Sequence, residues 1–172
     1  YNSRSASISA VFPLVFSSFI LMIRAGIPAS RVSAVHSGID PDRYRPRAER
    51  SGGPFLFQSI GAFTPQKGYG VLVRAMAEAG KGVPDFWEGI GYDFVRMASI
   101  REEAQALGVA GLLDLPGRRD SVDMLPDGDA LVVPSVDGEG SSGAIKEGWV
   151  MGVPVICSDL VSNQELVRDE EN

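Results

Sequence analysis

The sequence predicts an α/β domain built on a doubly wound parallel sheet, and three observations lead there. Short apolar runs recur: Phe55 to Ile60, Gly111 to Leu115, Ala130 to Val133 and Val153 to Cys157. Between them lie segments of helical period, Gly70 to Ala79 and Phe94 to Leu107. Runs of this size alternating with helices imply right-handed crossovers and a parallel sheet covered on both faces. The chain has 172 residues, 44% of them apolar, which is enough for one sizeable core.

Taken in order, Ala6 to Ile23 carries no charge and is bounded by Arg4 and Arg24. It reads as a short strand, Ile8 to Phe12, then a helix opened by Pro13 and closed near Gly26. Its length also reaches the lower edge of a membrane span, but four serines and a proline dilute it, which favours the buried reading. Arg31 to Val35 is a short strand. Ser37 to Pro54 is rich in proline, glycine and charge, the composition of a linker. On Gly70 to Ala79 the face Val71, Leu72, Ala75, Met76 and Ala79 is expected to be apolar. Asp85 to Ile90 is a strand weakened by Gly89. Val122 to Leu125 is a short helix, and a last helix starts at Asn163.

In sheets of this kind ligands bind beyond the C-terminal ends of the strands. Two loops stand at such ends. One is Gly61-Ala-Phe-Thr-Pro-Gln-Lys-Gly68, where Lys67 can set a point charge on a phosphate. The other is Pro134 to Gly143, with three glycines, three serines and two acids, opening a helix near Ser142 or Gly143 with Ser141 or Ser142 as N-cap. A helix N-terminus reached through glycines suits an anion, most often phosphate. Glu139 and Glu147 bracket it. Helical side chains lean toward the N-terminus, so Glu147 can reach the ligand from the second turn. A carboxylate repels phosphate and accepts from hydroxyls, so both acids suit sugar diols. Diphosphate with hydroxyls on either side describes a nucleotide sugar.

A competing motif shares the loop. Gly138-Glu139-Gly140-Ser141-Ser142-Gly143 is G-x-G-x-x-G between strand and helix, with Asp159 near the next strand end, as in an NAD(P)-binding domain of a dehydrogenase. Against it, the motif normally opens its sheet, Pro134 to Asp137 separates strand from glycine, and Glu139 would face a pyrophosphate. The net charge of −6 excludes nucleic acid as the main partner and offers no basic surface to anionic lipid. One cysteine, Cys157 in an apolar run, reads as a buried thiol and fits a reducing, cytoplasmic compartment. One histidine, His36, and one cysteine leave no zinc cluster.

The runs VSAVHSGIDPDRY, GAFTPQKGYGVLVRAM, LPGRRDSVDMLPDGDALVVPS and EGSSGAIKEGWVMGVPVICSD, with QELV after them, together resemble one family. From Val32 to Asn172 the chain is similar to the nucleotide-sugar-binding, C-terminal half of retaining GT-B glycosyltransferases of family 4. The resemblance implies a Rossmann-like domain over residues 55–172. It also implies an interdomain linker over 36–54, and over 1–35 a remnant of the preceding acceptor-binding domain. It implies that Glu139 contacts the donor sugar and Glu147 the ribose. Gly140, Ser141, Ser142 and Gly143 would hold the diphosphate and sugar through backbone amides, Lys67 the diphosphate beside Gly61, and Arg118 the base. No metal or other cofactor is implied. The acceptor would be a sugar, lipid or small molecule, and peripheral membrane association would come through the preceding domain.

Departures from the family pattern are equally plain. Ala62 stands where relatives usually carry an arginine, and Val161 and Ser162 replace a pair of glycines. They leave open a decayed module that binds the donor without catalysis. Among the remaining residues, Trp149 is expected in the core, Lys146 facing outward, His36 structural, and Asp159 a loop acid or helix cap.

Overall fold

The computed structural model describes residues 11–12, 22–34, 37–46, 48, 52–79, 86–90, 94–137 and 139–168. Contacts divide the chain into two compact units, Tyr1–Gly38 and Ile39–Asn172. In the first, strand β1 (Val11–Phe12) pairs in parallel with β2 (Ser33–Ala34). Most of the uncharged stretch from Ala6 to Ile23 lies outside the described residues, as does His36. No helix among the described residues is long and apolar enough to cross a membrane.

The second unit is a five-stranded parallel sheet. Its strands are β3 (Leu56–Ile60), β4 (Phe86–Ile90), β5 (Leu113–Gly117), β6 (Ala130–Val133) and β7 (Val155–Cys157), in the order β5-β4-β3-β6-β7. The helices between them are α1 (Tyr69–Ala79), α2 (Phe94–Ala106), α3 (Ser121–Met124) and α4 (Gly143–Val150), and α5 (Val161–Gln164) follows β7. The chain builds outward from β3 to β5, then returns across the sheet to lay β6 on the other side of β3. The strand order therefore reverses between β3 and β6. In open parallel sheets the loops at the C-terminal ends of the strands beside such a reversal are where ligands bind. This is the doubly wound, Rossmann-like sheet expected from the sequence.

Both faces are covered, as the alternation of apolar side chains along β6 shows. On β6, Val132 joins the cluster of Tyr69, Leu72, Val73, Met76, Ile100, Ala104 and Leu115 under α1 and α2. Its neighbours Leu131 and Val133 join the opposite cluster with Leu125, Ile145, Met151 and Val153. Tyr44, within the stretch read as a linker, is buried in this second cluster, and Ile39 packs against it.

Several details differ from expectation. On α1 the buried residues are Tyr69, Leu72, Val73 and Met76, while Val71 is exposed. The aromatic at the first position sets the face. Tyr69 stacks edge-on against Phe63 at 4.6 Å, and its hydroxyl donates to the Gly61 carbonyl at 3.3 Å. Positions three, four and seven further on then follow it inward. Trp149 is 37% exposed, not core. The inward position on that turn is Gly148, where a Cβ would lie 2.9 Å from Val155 Cγ2 and 3.0 Å from Leu131 Cδ2. The helix rides close on β6 and β7 there, and the next residue turns away. Strand β5 begins two residues later than read, because Ala110–Leu112 forms a 3-10 turn. It holds Pro116, which lacks an N–H and suits the outermost strand of the described sheet. Helix α5 starts at Val161, earlier than read, and takes in Val161 and Ser162. At Gly89 the pairing with β5 slips, with a register shift between Glu88 and Ile90.

Candidate functional site

The two loops singled out in the sequence meet at the strand-order reversal. After β3 the chain makes a 3-10 turn over Pro65–Lys67, with Pro65 at its first position and Gly68 closing it in the left-handed region at φ 69°. A side chain at Gly68 is impossible without movement, since a Cβ would fall 1.8 Å from the Pro134 carbonyl oxygen of the second loop. The Val136 N–H donates to the Gln66 carbonyl at 2.8 Å. Backbone thus touches backbone, and this close approach fixes what the side chains can reach.

Lys67 Nζ lies 2.5 Å from Glu139 Oε1. The Lys67 side chain is 33% exposed and that of Glu139 only 7%. Ser135 Oγ donates to the same carboxylate oxygen. An ammonium has three donors, so one contact with Glu139 leaves two for another ligand. The repulsion that Glu139 would exert on a phosphate is offset by a cation already at its side.

Helix α4 opens at Gly143 with Ser142 at the N-cap position. The Ser142 hydroxyl makes no capping bond, so the expected side-chain cap is absent although the position is right. The N–H groups of Gly143, Ala144 and Ile145 precede the first intrahelical bond and point out of the helix end toward the loop. Gly140 and Ser141 lead into this end, and Ser142 is buried. Glu147, half-buried in the second turn, folds back as expected. Its Oε1 is 3.8 Å from where a Gly143 Cβ would stand. Glu147 therefore lies over the helix end into which the loop carrying Glu139 leads.

Gly61 lies beneath the Lys67 side chain, 3.5 Å from Lys67 Cδ measured from an added Cβ. Arg118 stands apart. It is exposed after Gly117, at the C-terminal end of β5. Two strand spacings, roughly 10 Å, separate β5 from β3. Ala62 accepts the Thr64 N–H at 2.7 Å through its carbonyl. Asp159 accepts from Gln164 Nε2 at 2.5 Å, the behaviour of a loop acid tied to the following helix. Gly138, the first glycine of the dinucleotide motif, lies outside the described residues. Lys146, expected to face outward, is half-buried, and burial lowers its pKa. Cys157 is half-buried, its thiol pushed up by burial and by the nearby Asp159 charge. Burial likewise pushes the Tyr69 phenol above its ordinary range.

Two groups escaped the sequence reading. One is Ser135 in the second loop, which nothing in its local sequence distinguishes from the other serines there. Arg43 pairs with Asp120 at 2.5 Å, 77 positions away, and sits 5.5 Å above the Tyr44 ring. Tyr44 Oη and Ser121 Oγ are 3.2 Å apart. The nearby carboxylate of Glu147 is among the charges that raise the Arg43 pKa, after Asp120 and Tyr44. The signal was in the run GIDPDRY, whose arginine and tyrosine were read only as part of a loop.

A family model described as Glycosyl transferases group 1 matches residues 55–172. The chain belongs to this family. Among curated relatives it is 27% identical over 161 residues to WcaL of Escherichia coli strain K12, which carries the name of a colanic acid biosynthesis glycosyltransferase. That match covers 87% of this chain and 39% of WcaL. Among solved structures, HepE of Anabaena in complex with UDP and glucose superposes with a TM-score of 0.76 at 19% identity. A glycosyltransferase of Rickettsia africae does so with a TM-score of 0.77 at 16% identity. Each covers 88% of this chain and 45% of the other. The group 1 chain described here thus spans less than half the length of these relatives, and shares their fold.

Proposed function

We propose that this chain is the donor-binding, C-terminal half of a retaining GT-B glycosyltransferase of family 4. Residues 55–172 would hold the nucleotide sugar, 36–54 would link the domains, and 1–35 would belong to the acceptor-binding domain. The reading rests above all on the meeting of Lys67, Glu139, Glu147 and the open amide end of α4 at the strand-order reversal. The relatives' names, and the UDP held by HepE, support a nucleotide-diphosphate sugar as donor.

In this reading the amides of Gly140 to Gly143 and the Lys67 ammonium face the diphosphate beside Gly61. Glu139 accepts from hydroxyls of the donor sugar, and Glu147 from the ribose. Arg118, at the C-terminal end of β5, two strands from β3, lines the base pocket. The acceptor oxygen bonds to the anomeric carbon on the face from which the β-phosphate oxygen departs, and the proton leaves with the diphosphate. Configuration is kept. The protein orients the donor and stabilises charge growing on the leaving phosphate, which cation and helix end can do without a metal. The acceptor would be a sugar, lipid or small molecule, and the setting cytoplasmic, with the preceding domain carrying any membrane contact.

Titration with UDP, GDP and ADP against NAD tests the proposal. Binding of one nucleoside diphosphate with no binding of NAD is expected, together with little or no sugar transfer by this chain alone. Binding of NAD in preference would reverse it. A folded chain that binds none of the diphosphates at millimolar concentration would point to the decayed module.

A further inference from the structure

Glu139 is held by more than Lys67. Its carboxylate ends a series of polar contacts that starts in α5 and crosses the C-terminal end of the sheet. Asn163 Nδ2 donates to the Ser158 carbonyl at 2.9 Å and to Ser158 Oγ at 3.3 Å. Ser158 Oγ donates to the Ser135 carbonyl, and Ser135 Oγ donates to Glu139 Oε1. Ser135 and Asn163 are each 1% exposed. Polar side chains buried this deeply cost free energy unless their bonds are made; the Ser135 hydroxyl and the Asn163 amide N–H make theirs here, while Asn163 Oδ1 has no hydrogen-bond partner among the described residues.

The contacts on Glu139 are one-sided. Both Ser135 and Lys67 donate to Oε1, and Oε2 accepts no bond among the described residues. A lysine ammonium on a four-carbon stem supplies charge but tolerates many orientations of its partner. A hydroxyl on buried backbone four positions earlier in the same loop does not. Together they fix one oxygen and present the other.

We propose that Ser135 is a positioning residue that sets the plane of the Glu139 carboxylate so that Oε2 meets a hydroxyl of the donor sugar. Ser158 and Asn163 hold the backbone that carries it. The proposal rests on the reading of Glu139 as the sugar-binding acid. It makes a specific demand: loss of the Ser135 hydroxyl reduces recognition of the sugar and spares recognition of the nucleotide. Lys67, less firmly engaged by a loosened Glu139, remains available to the diphosphate.

The test is calorimetric titration of the intact chain with two ligands. They are the best-binding diphosphate among UDP, GDP and ADP, and its sugar ester (UDP-glucose, GDP-mannose or ADP-glucose). Wild type, Ser135→Ala, Ser135→Cys and Ser158→Ala are compared, with melting temperatures alongside. The sugar ester is expected to bind wild type more tightly than the bare diphosphate. Ser135→Ala should then lose about tenfold in affinity for the ester, the effect of one hydrogen bond to a charged group, and less than about twofold for the diphosphate. Ser135→Cys, similar in shape but a weak donor, should follow it. Ser158→Ala should shift the ester in the same direction by less, and keeps the test alive if Ser135→Ala does not fold. Equal losses for both ligands, an unchanged ester affinity, or no preference for the ester in wild type would overturn the positioning role alone. A folded wild type that binds neither ligand would overturn the functional reading beneath it.

Discussion

Lys67 Nζ stands 2.5 Å from Glu139 Oε1, so a loop leaving β3 and a loop leaving β6 are tied across the strand-order reversal by one ion pair. The pair is asymmetric. Its acid is nearly enclosed and its base is a third exposed. Removing the base therefore strands a carboxylate away from water, with Ser135 as its remaining donor.

Lys67→Met should lower nucleotide affinity at least tenfold, since an ammonium facing a diphosphate makes a charge-assisted contact. It should also destabilise the fold by about 1 kcal/mol, the lysine's exposure keeping the figure small. A double-mutant cycle with Glu139→Gln checks the coupling by chemical denaturation. Additive effects would mean that the ion pair contributes nothing to stability.

Glu147→Ala should behave in the opposite way. Glu147 is half-buried, its carboxylate makes no hydrogen bond among the described residues, and it lies back over the end of α4. Truncation should change the melting temperature by no more than about 2 °C, as for a surface site. Affinity for the nucleotide sugar should fall about tenfold through loss of a bond between carboxylate and ribose hydroxyl. A large drop in melting temperature would make Glu147 a structural partner instead.

Much of this arrangement was legible in the residues because local chemistry and fold agree. Ala130 to Val133 is apolar at every position and had to be buried on both faces. Gly68 and Gly143 mark where the chain turns after β3 and where α4 opens. The spacing of Glu139 and Glu147 places both acids at one helix end once a strand–loop–helix unit is granted. What escaped was long-range. Nothing near Arg43 announces Asp120, since their meeting depends on α3 carrying the chain back across the sheet. Ser135 reads as an ordinary serine until the loop folds its hydroxyl onto a residue four positions later. Trp149 misled because hydrophobicity alone says core, whereas the close ride of Gly148 on Leu131 and Val155 decides which way that turn faces.

Gly68→Ala tests the contact on which the site depends. The substitution meets a backbone carbonyl, which cannot swing aside as a side chain would, and asks alanine to hold a φ of 69°. Overpacking and left-handed strain together should cost about 2–4 kcal/mol. The melting temperature should fall by roughly 5–15 °C. The loops must separate to make room, so diphosphate affinity should fall with it. A stable, fully binding Gly68→Ala chain would show that the two loops do not need this approach.

The Arg43–Asp120 pair gives a pH signature. Asp120 is held below its ordinary pKa of about 3.8, first by the Val122 N–H that its side chain accepts at 3.2 Å, then by Arg43, with burial opposing. A carboxyl whose folded pKa is depressed contributes stability above its unfolded pKa and loses it as pH falls through the folded value. Asp120→Asn keeps a side-chain acceptor for the start of α3 but removes the charge. Thermal melts of wild type and Asp120→Asn should therefore differ at pH 7, with wild type the more stable. The two should converge as the pH falls below the ordinary carboxylate range and through the lowered pKa at which Asp120 takes up its proton. A gap that stays constant as the carboxylates are titrated with acid would mean that the charge on Asp120, and with it the hold on Arg43 beside Glu147, does not stabilise this end of the sheet.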